Sequence, residues 1–215
     1  MIKIAPSILS ADPLNIESEV KKVDEAGADY IHVDIMDGHY VPNITFGPNI
    51  IQSLRSLTKK ILDVHLMISP VKQWIENIAK AGADIISFHP EADSEPLEVI
   101  NLIKNFNCKA GIAIHPNIKI IEIETYLKLV NIVVVMTVIP GFGGQKFMND
   151  QISKILFLKN FRNTNNLSFE IEVDGGINDK SSKICKEKGA DVLVAGSYIF
   201  GSDYTKYKNL IENLR

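Results

Sequence analysis

A short segment near the amino terminus carries side chains that can bind a metal ion and move protons. His32 and Asp34 alternate with Ile31, Val33 and Ile35, and this spacing of two predicts a β-strand with one apolar face. A solvent-exposed second face would carry residues such as Lys, Glu or Thr. The alternation therefore indicates that the histidine and the aspartate point into the protein, toward other functional groups.

Two later segments end in side chains of the same kinds. The alternation around His65 and Asp174 also turns each of them to the face opposite its apolar neighbours. Four such groups cannot stay buried and unpaired without a large desolvation penalty. Two neutral imidazoles and two carboxylates would form a neutral site around a divalent cation. Such a mixed nitrogen and oxygen set suits Zn²⁺, Fe²⁺, Mn²⁺ or Co²⁺ rather than Ca²⁺.

For an isolated His-x-Asp pair, a hydrogen bond without any metal is the simpler interpretation. The matching positions of His65 and Asp174 favour the metal site, so we predict one divalent ion held by His32, Asp34, His65 and Asp174. Strict alternation also turns Asp63 and Glu172 inward, farther from the strand ends, and we assign them no role.

Three methionines, Met36, Met67 and Met136, have inward registers near strand ends. Core filling is the ordinary role of a single methionine. Three at equivalent heights suggest an apolar wall over the metal site, and both interpretations stay open from the pattern alone.

Three glycine clusters follow consecutive strands near the carboxyl end of the chain. They are Pro140–Gln145, Asp174–Gly176 and Ala195–Ser197. Glycines leave backbone N–H groups accessible, and the helix N-termini that follow favour anions. These clusters predict a site for a small phosphorylated substrate, and the first of them could also act as a lid.

The elements that must position these groups alternate regularly along the chain. Short β-rich runs are the predicted strands: 3–8, 30–36, 61–67, 85–89, 109–114, 132–138, 169–174 and 192–196. Helical periodicity fills the segments between them: 14–26, 48–57, 71–81, 96–106, 118–129, 151–161, 180–188 and 204–214. Glycines just before three strands, Gly27, Gly82 and Gly189, are typical of left-handed helix caps.

Eight strand–helix units allow either a closed barrel or an open doubly wound sheet. The unusual residues come from strands one, two, three, six, seven and eight, always at or near the carboxyl end: Ser7, His32, Asp34, Met36, His65, Met67, Met136, Asp174, Gly196 and Ser197. An open sheet gathers two or three strands at its switch point, whereas a closed barrel brings all of them to one mouth. We therefore predict a single (β/α)₈ TIM barrel over residues 1–215.

Composition excludes several classes of protein. Hydrophobic residues make up 46%, which argues against disorder. The 23 basic and 26 acidic residues give a net charge of −3, which argues against a protein that binds nucleic acid or an anionic membrane through positive charge. No apolar run reaches membrane-spanning length. The first residues lack the pattern of a secretory signal, and Cys108 and Cys185 have no CxxC partner, so we expect a reducing, cytoplasmic location.

Taken together, these motifs resemble the ribulose-phosphate 3-epimerase family over nearly the whole chain. The segments that carry the resemblance appear in the order of the family: 4–12, 32–43, 63–67, 87–92, 140–145, 172–176 and 194–197. The chain departs from bacterial members at His115-Pro116-Asn117, where they read more like Asn-Pro-Ala-Thr, so the loop after the fifth strand has no assigned role. His39, His89 and His115 are interpreted as structural or loop histidines.

The resemblance implies a metal-dependent enzyme of the pentose phosphate pathway. It implies that D-ribulose 5-phosphate and D-xylulose 5-phosphate are interconverted by proton removal and return at C3 through an enediolate, with Asp34 and Asp174 as the proton-transfer pair. It also implies a homo-oligomer and a methionine cap formed by Met36, Met67 and Met136. The substrate contacts that it implies are Ser7, His65, Gly141, Phe142, Gly143, Gly144, Gly175, Gly176, Gly196 and Ser197.

Three other functions carry less weight. A Schiff-base aldolase needs a lysine at the carboxyl end of a strand, but Lys3, Lys60 and Lys109 lie at strand beginnings and Lys146 lies in a loop. An epimerase for a six-carbon ketose phosphate, such as D-allulose 6-phosphate, would share the chemistry; the segment 45–48 is more similar to the pentose enzyme. A non-catalytic sugar-phosphate sensor would not need a complete acid/base pair.

Overall fold

A computed structural model describes residues 2–215, and its central feature is an eight-stranded parallel sheet. The strands are β1 (Lys3–Pro6), β2 (Tyr30–Met36), β3 (Ile61–Met67), β4 (Ile85–Phe88), β5 (Lys109–Ile114), β6 (Ile132–Met136), β7 (Glu170–Asp174) and β8 (Val192–Ala195). Their spatial order is β1-β8-β7-β6-β5-β4-β3-β2. From β2 to β8 each strand pairs with its neighbour in sequence, β8 also pairs with β1, and β1 and β2 are the two edge strands.

The sheet closes between its two edge strands. A parallel bridge pairs Ser7 with His32, and the backbone N–H of Asp29 donates to the carbonyl of Ile4 at 2.9 Å. These contacts join β1 to β2 and make a nearly closed barrel, which confirms the predicted (β/α)₈ TIM fold.

Helices surround the barrel between the strands. The α-helices are α1 (Ile16–Glu25), α2 (Pro48–Leu57), α3 (Ile75–Ala81), α4 (Pro96–Asn105), α5 (Ile120–Ile123), α6 (Ile152–Thr164), α7 (Asp179–Lys188), α8 (Ser197–Phe200) and α9 (Tyr207–Leu214). Gly27, Gly82 and Gly189 follow helices with φ of +95°, +114° and +111°, as the sequence predicted. No helix within residues 2–215 is long and apolar enough to cross a membrane.

Several predicted boundaries are wrong. The helix expected over 118–129 is only α5 followed by a 3₁₀ turn at Glu124–Tyr126, because the isoleucine-rich segment has low helix propensity. Leu14 is 91% exposed and precedes α1 instead of joining its apolar face. The first strand ends at Pro6, because the side chain of Ser7 caps a 3₁₀ turn. The short helix α8, which precedes the last helix, was not predicted.

Strand alternation sorts the side chains into two layers. Ile31, Val33, Leu62 and Val64 belong to the large outer core that packs against the helices. A separate cluster packs inside the barrel: Ala5, Tyr30, Ile85, Ile132, Val192 and Val194. Tyr30, Ile85, Ile132 and Val192 are the first residues of their strands, so this cluster fills the amino-terminal end of the barrel and reaches up to Val194.

Candidate active site

Strand register brings the predicted ligands together at the carboxyl end of the barrel. Asp34 on β2 lies opposite His65 on β3, and His32 precedes Asp34 by two residues on the same face. Asp174 ends β7 opposite Met136 of β6. One oxygen or nitrogen of each of the four groups lies within 4.8 Å of the others. The structure therefore assembles the cluster that the sequence predicted.

Two imidazole nitrogens in this cluster have no hydrogen-bond partner. His32 Nε2 lies 3.4 Å from Asp34 Oδ1, and His65 Nδ1 lies 3.5 Å from the same oxygen and 3.8 Å from Asp174 Oδ2. Both nitrogens are buried and unsatisfied. Buried polar groups are nearly always satisfied in native proteins, so these two atoms indicate that a further group belongs between them.

A divalent cation fits this position. Two ligand atoms of a tetrahedral site with metal–ligand distances of about 2.0–2.1 Å lie about 3.3–3.4 Å apart. The separations of 3.4 and 3.5 Å from Asp34 Oδ1 to the two unsatisfied nitrogens match that spacing. Lone pairs on two imidazoles and charge on two carboxylates also suit the divalent ions predicted from the sequence. The residues present can therefore hold one metal ion.

Behind the first histidine lies a second pair of buried carboxyl groups. His32 Nδ1 is 2.7 Å from Asp63 Oδ2 and 3.6 Å from Glu172 Oε1. Burial raises the pKa of Glu172 well above its usual value, and the charge of Asp63 adds to this effect. When His32 is neutral and donates its Nδ1 proton to Asp63 Oδ2, its Nε2 keeps a lone pair for a metal ion. Asp63 and Glu172, for which we predicted no role, thus lie beside the predicted metal ligand His32.

The two aspartates of the cluster differ in acidity. Burial alone would raise the pKa of Asp34, but the charges and hydrogen bonds of His32 and His65 hold it well below its usual value. Burial, and then the charge of Asp34, raises the pKa of Asp174 from 3.8 to about 6. Burial opposes charge on His32, yet Asp34 and Asp63 raise its pKa well above the usual value. Protons therefore occupy the metal-free cluster near neutral pH.

Two hydroxyl groups orient Asp34. Ser7 donates from Oγ to Asp34 Oδ2 at 2.6 Å, which directs the other carboxylate oxygen toward the histidines. Thr45 donates from Oγ1 to the backbone carbonyl of Asp34 at 2.6 Å and accepts from the N–H of Met36 at 3.0 Å. The end of β2 is therefore fixed by its own following loop.

A cavity opens directly above the cluster. Most of the residues predicted to contact substrate line it: Ser7, Gly141, Phe142, Gly143, Gly144, Gly175, Gly176, Gly196 and Ser197. His65 does not, because it is fully buried below. Leu9, Ser10 and Gln145 also line the cavity. Leu9 and Ser10 had no predicted role, and Gln145 was predicted only as part of the glycine cluster 140–145; all three lie within the segments that carry the family resemblance.

All three methionines line the cavity but do not form one continuous wall. Met36 and Met67 are cross-strand partners packed with Val41. Met136 packs separately with Val138 on the side of β6. The sulfur atoms thus flank the cavity as two apolar groups.

The loop after β7 requires glycine. Gly175 and Gly176 have φ of +122° and +64°, and a Cβ on Gly176 would lie 2.5 Å from the backbone nitrogen of Phe147. Neither residue donates a backbone hydrogen bond within residues 2–215, and the same holds for Gly196 and Ser197. Four N–H groups are therefore available to an anion at this side of the cavity.

One further histidine touches the cluster. His89, fully buried just after β4, places Nε2 3.0 Å from His65 Nε2. Burial lowers its pKa to about 4, so its ring is neutral at pH 7. From the sequence we predicted a structural role for this residue. The signal available was the segment 87–92, which belongs to the family resemblance but carries no assigned chemistry.

Solved structures with low sequence identity share the fold. KGPDC of Streptococcus mutans superimposes with a TM-score of 0.74 at 14% identity, covering 100% of this chain and 95% of that one. A mutant tryptophan synthase α-subunit of Pyrococcus furiosus gives 0.73 at 14% identity, covering 100% and 99%. At this identity the likeness concerns the barrel alone.

Sequence relatives are much more similar. Residues 3–200 match the model of the "Ribulose-phosphate 3 epimerase family". Ribulose-phosphate 3-epimerase of Bacillus subtilis (strain 168) is 46% identical over 207 residues, which are 96% of this chain and 95% of that protein. The enzyme of Helicobacter pylori is 42% identical over 201 residues, covering 94% and 92%. This chain therefore belongs to the ribulose-phosphate 3-epimerase family and is an isomerase.

Proposed function

We propose that this protein is a metal-dependent epimerase that interconverts D-ribulose 5-phosphate and D-xylulose 5-phosphate. The names of its relatives support the substrate. The observation that carries the mechanism is the cluster itself: two carboxylates and two unsatisfied imidazole nitrogens within 4.8 Å of one another below a cavity.

The chemistry requires stabilisation of charge next to a carbonyl group. The proton on C3 of the ketose is α to the C2 carbonyl and is too weakly acidic to leave unaided at neutral pH. A divalent ion held by His32, Asp34, His65 and Asp174 would supply Lewis-acid stabilisation of the negative charge on the substrate oxygens.

Inversion at C3 needs a base on one face of the carbon and an acid on the other. Asp34 and Asp174 extend from β2 and β7, which β1 and β8 separate in the barrel. One aspartate removes the C3 proton and the other returns a proton to the opposite face, and the reverse reaction exchanges their roles. A carboxyl group on each face of C3 can act as the general base in one direction and as the general acid in the other.

The intermediate must be protected from stray protons. Met36, Met67 and Met136 border the cavity beside the two aspartates and have no acidic hydrogen. A carbanionic intermediate beside these side chains meets apolar groups instead of water. The methionines therefore favour proton return from an aspartate.

The phosphate group would bind on the glycine side of the cavity. The available N–H groups of Gly175, Gly176, Gly196 and Ser197 lie in the loops after β7 and β8. These are the loops that often bind phosphate in barrels of this class, frequently with a short extra helix such as α8. Binding energy from the phosphate would hold C3 between the two aspartates.

A turnover assay with metal depletion tests this proposal. We expect the purified protein to convert D-ribulose 5-phosphate, to lose activity after chelation, and to regain it with an added divalent ion. D-Allulose 6-phosphate serves as the alternative substrate. Faster turnover of the six-carbon ketose would reassign the substrate, full activity without metal would contradict the metal site, and binding without turnover would indicate a sensor.

We also propose a single catalytic domain over residues 1–215 that acts in the cytoplasm as a homo-oligomer. The family resemblance supports the assembly. Light scattering on the purified protein would test it, and a monomeric mass at micromolar concentration would contradict it.

A further inference from the structure

A chain of polar contacts leads from the second histidine ligand to the rim of the barrel. His65 Nε2 lies 3.0 Å from His89 Nε2, and His89 Nδ1 lies 3.5 Å from Glu91 Oε1. Tyr40, in the loop after β2, donates from its hydroxyl to the same Glu91 oxygen at 2.8 Å. The ring of Tyr40 also packs on that of His89, with centroids 4.8 Å apart. Tyr40 from the loop after β2 and Glu91 from the loop after β4 thus both contact His89.

The direction of proton donation along this chain follows from the geometry. His65 Nδ1 faces Asp34 and Asp174. To bind a metal ion there, this nitrogen must carry a free lone pair and no proton. A neutral His65 then carries its proton on Nε2 and donates it to His89 Nε2. His89 in turn must carry its proton on Nδ1, which faces the carboxylate of Glu91. With His65 Nδ1 kept free for a metal ion, this arrangement of protons directs each imidazole N–H toward the next acceptor, ending at Glu91.

We propose that Glu91, held by Tyr40, acts through His89 as a positioning residue that fixes the His65 tautomer with Nδ1 open to the metal. This inference rests on the proposed metal site and adds residues that do not touch substrate. In this arrangement each of the two imidazole ligands, His32 and His65, is oriented by a carboxylate. His32 is oriented directly by Asp63 at 2.7 Å, whereas His65 is oriented by a more distant carboxylate through an intervening imidazole.

The surroundings suit a positioning role. His65 and His89 are fully buried, so rotation of either ring would break a hydrogen bond that no water could replace. The side chain of Glu91 is 31% exposed and can therefore remain ionised. Although burial alone would raise the pKa of Glu91, its contacts with the His89 ring and the Tyr40 hydroxyl lower it below the usual value.

The test measures the tautomer and the metal affinity separately. In metal-free protein labelled with ¹⁵N-histidine, NMR should show His65 protonated at Nε2 in the wild type. In Glu91→Leu, which removes the acceptor, we expect a mixture of tautomers. Competition with a chelator, using Zn²⁺ alone as the probe, should show binding weakened about 10–100-fold in Glu91→Leu and about tenfold in Glu91→Gln.

Glu98→Gln is the matched control. It removes one carboxylate charge from the same βα unit, but Glu98 is exposed and pairs with Lys72 rather than with the histidines. We expect this variant to keep the wild-type tautomer and affinity. Should Glu91→Leu fail to fold, Tyr40→Phe and Glu91→Gln test the same contacts with little change of shape.

The outcomes separate this inference from the proposed function. An unchanged His65 tautomer together with unchanged Zn²⁺ affinity in the Glu91 variants would overturn the positioning role. A wild-type protein that binds no Zn²⁺ would instead overturn the proposed metal site. The tautomer measurement on metal-free protein does not depend on that result, so it still decides whether Glu91 controls His65.

Discussion

Replacing Asp174 by asparagine should separate activity from stability. The amide has nearly the shape of the carboxyl group but cannot take a proton from C3. General acid–base groups typically contribute about 10²–10⁴-fold to the rate, so turnover should fall by at least that range. The same change removes a carboxylate from a buried position next to Asp34. We therefore expect the metal-free variant to be more stable than the metal-free wild type.

The size of this stabilisation follows from the pKa of Asp174. A rise from 3.8 to about 6 corresponds to about 3 kcal/mol at about 1.4 kcal/mol per pH unit. Because the folded protein holds this proton more tightly than the unfolded chain, the metal-free wild type loses stability as the pH rises from 3.8 to about 6. The variant cannot lose stability in this way. Its advantage should be about 3 kcal/mol at pH 7.5 and only about 1 kcal/mol at pH 4.5.

Urea unfolding of metal-free wild type and Asp174→Asn at both pH values measures this difference. Asp150→Asn is the matched control, because Asp150 is exposed and lies outside the cluster; it should change the free energy of unfolding little at either pH. Equal stability of wild type and Asp174→Asn at both pH values would refute the reasoning about buried charge. Near wild-type turnover of the variant would refute the two-aspartate mechanism.

Three further predictions concern the support of the site and of the barrel. Asp63→Asn should weaken Zn²⁺ binding about 10–100-fold in chelator competition, since His32 loses the carboxylate that orients it; unchanged affinity would contradict this. Gly176→Ala should destabilise the protein by about 1–3 kcal/mol in urea unfolding, because the new methyl group meets Phe147. Gly27→Ala, with positive φ but nothing within 4 Å of the added carbon, should cost less, and equal losses would show that strain rather than contact dominates. Burial raises the pKa of Tyr30 to about 12, so its contribution to stability, present below pH 10, should be lost as the pH rises to about 12; thermal unfolding of Tyr30→Phe should show a weaker alkaline loss, and identical pH profiles would contradict it.

The metal cluster could be predicted because strand alternation is a strong signal. Period two places Asp34 and His65 on the inner face, and their cross-strand pairing follows once the strands are parallel neighbours. Glycine positions likewise marked helix ends, since the left-handed conformation at Gly82 and Gly189 favours that residue. Strand alternation and helix-capping preferences were therefore sufficient to predict which residues meet at the carboxyl end of the barrel.

Contacts that depend on loops could not be predicted in the same way. His89 lies one residue beyond β4, where alternation no longer fixes the direction of a side chain. Its contact with His65 depends on the loop geometry after β4, and Tyr40 reaches Glu91 from a different loop. The short helix α8 and the early end of β1 also depend on hydrogen bonds within loops, which hydrophobic periodicity does not report.

The fate of the C3 proton tests the central claim most directly. Metal-loaded protein incubated with D-ribulose 5-phosphate in D₂O should yield D-xylulose 5-phosphate carrying deuterium at C3, observed by NMR. This result is expected because Asp34 and Asp174 each exchange protons with solvent between turnovers. Product formed without deuterium at C3 would contradict proton removal and return by the two aspartates.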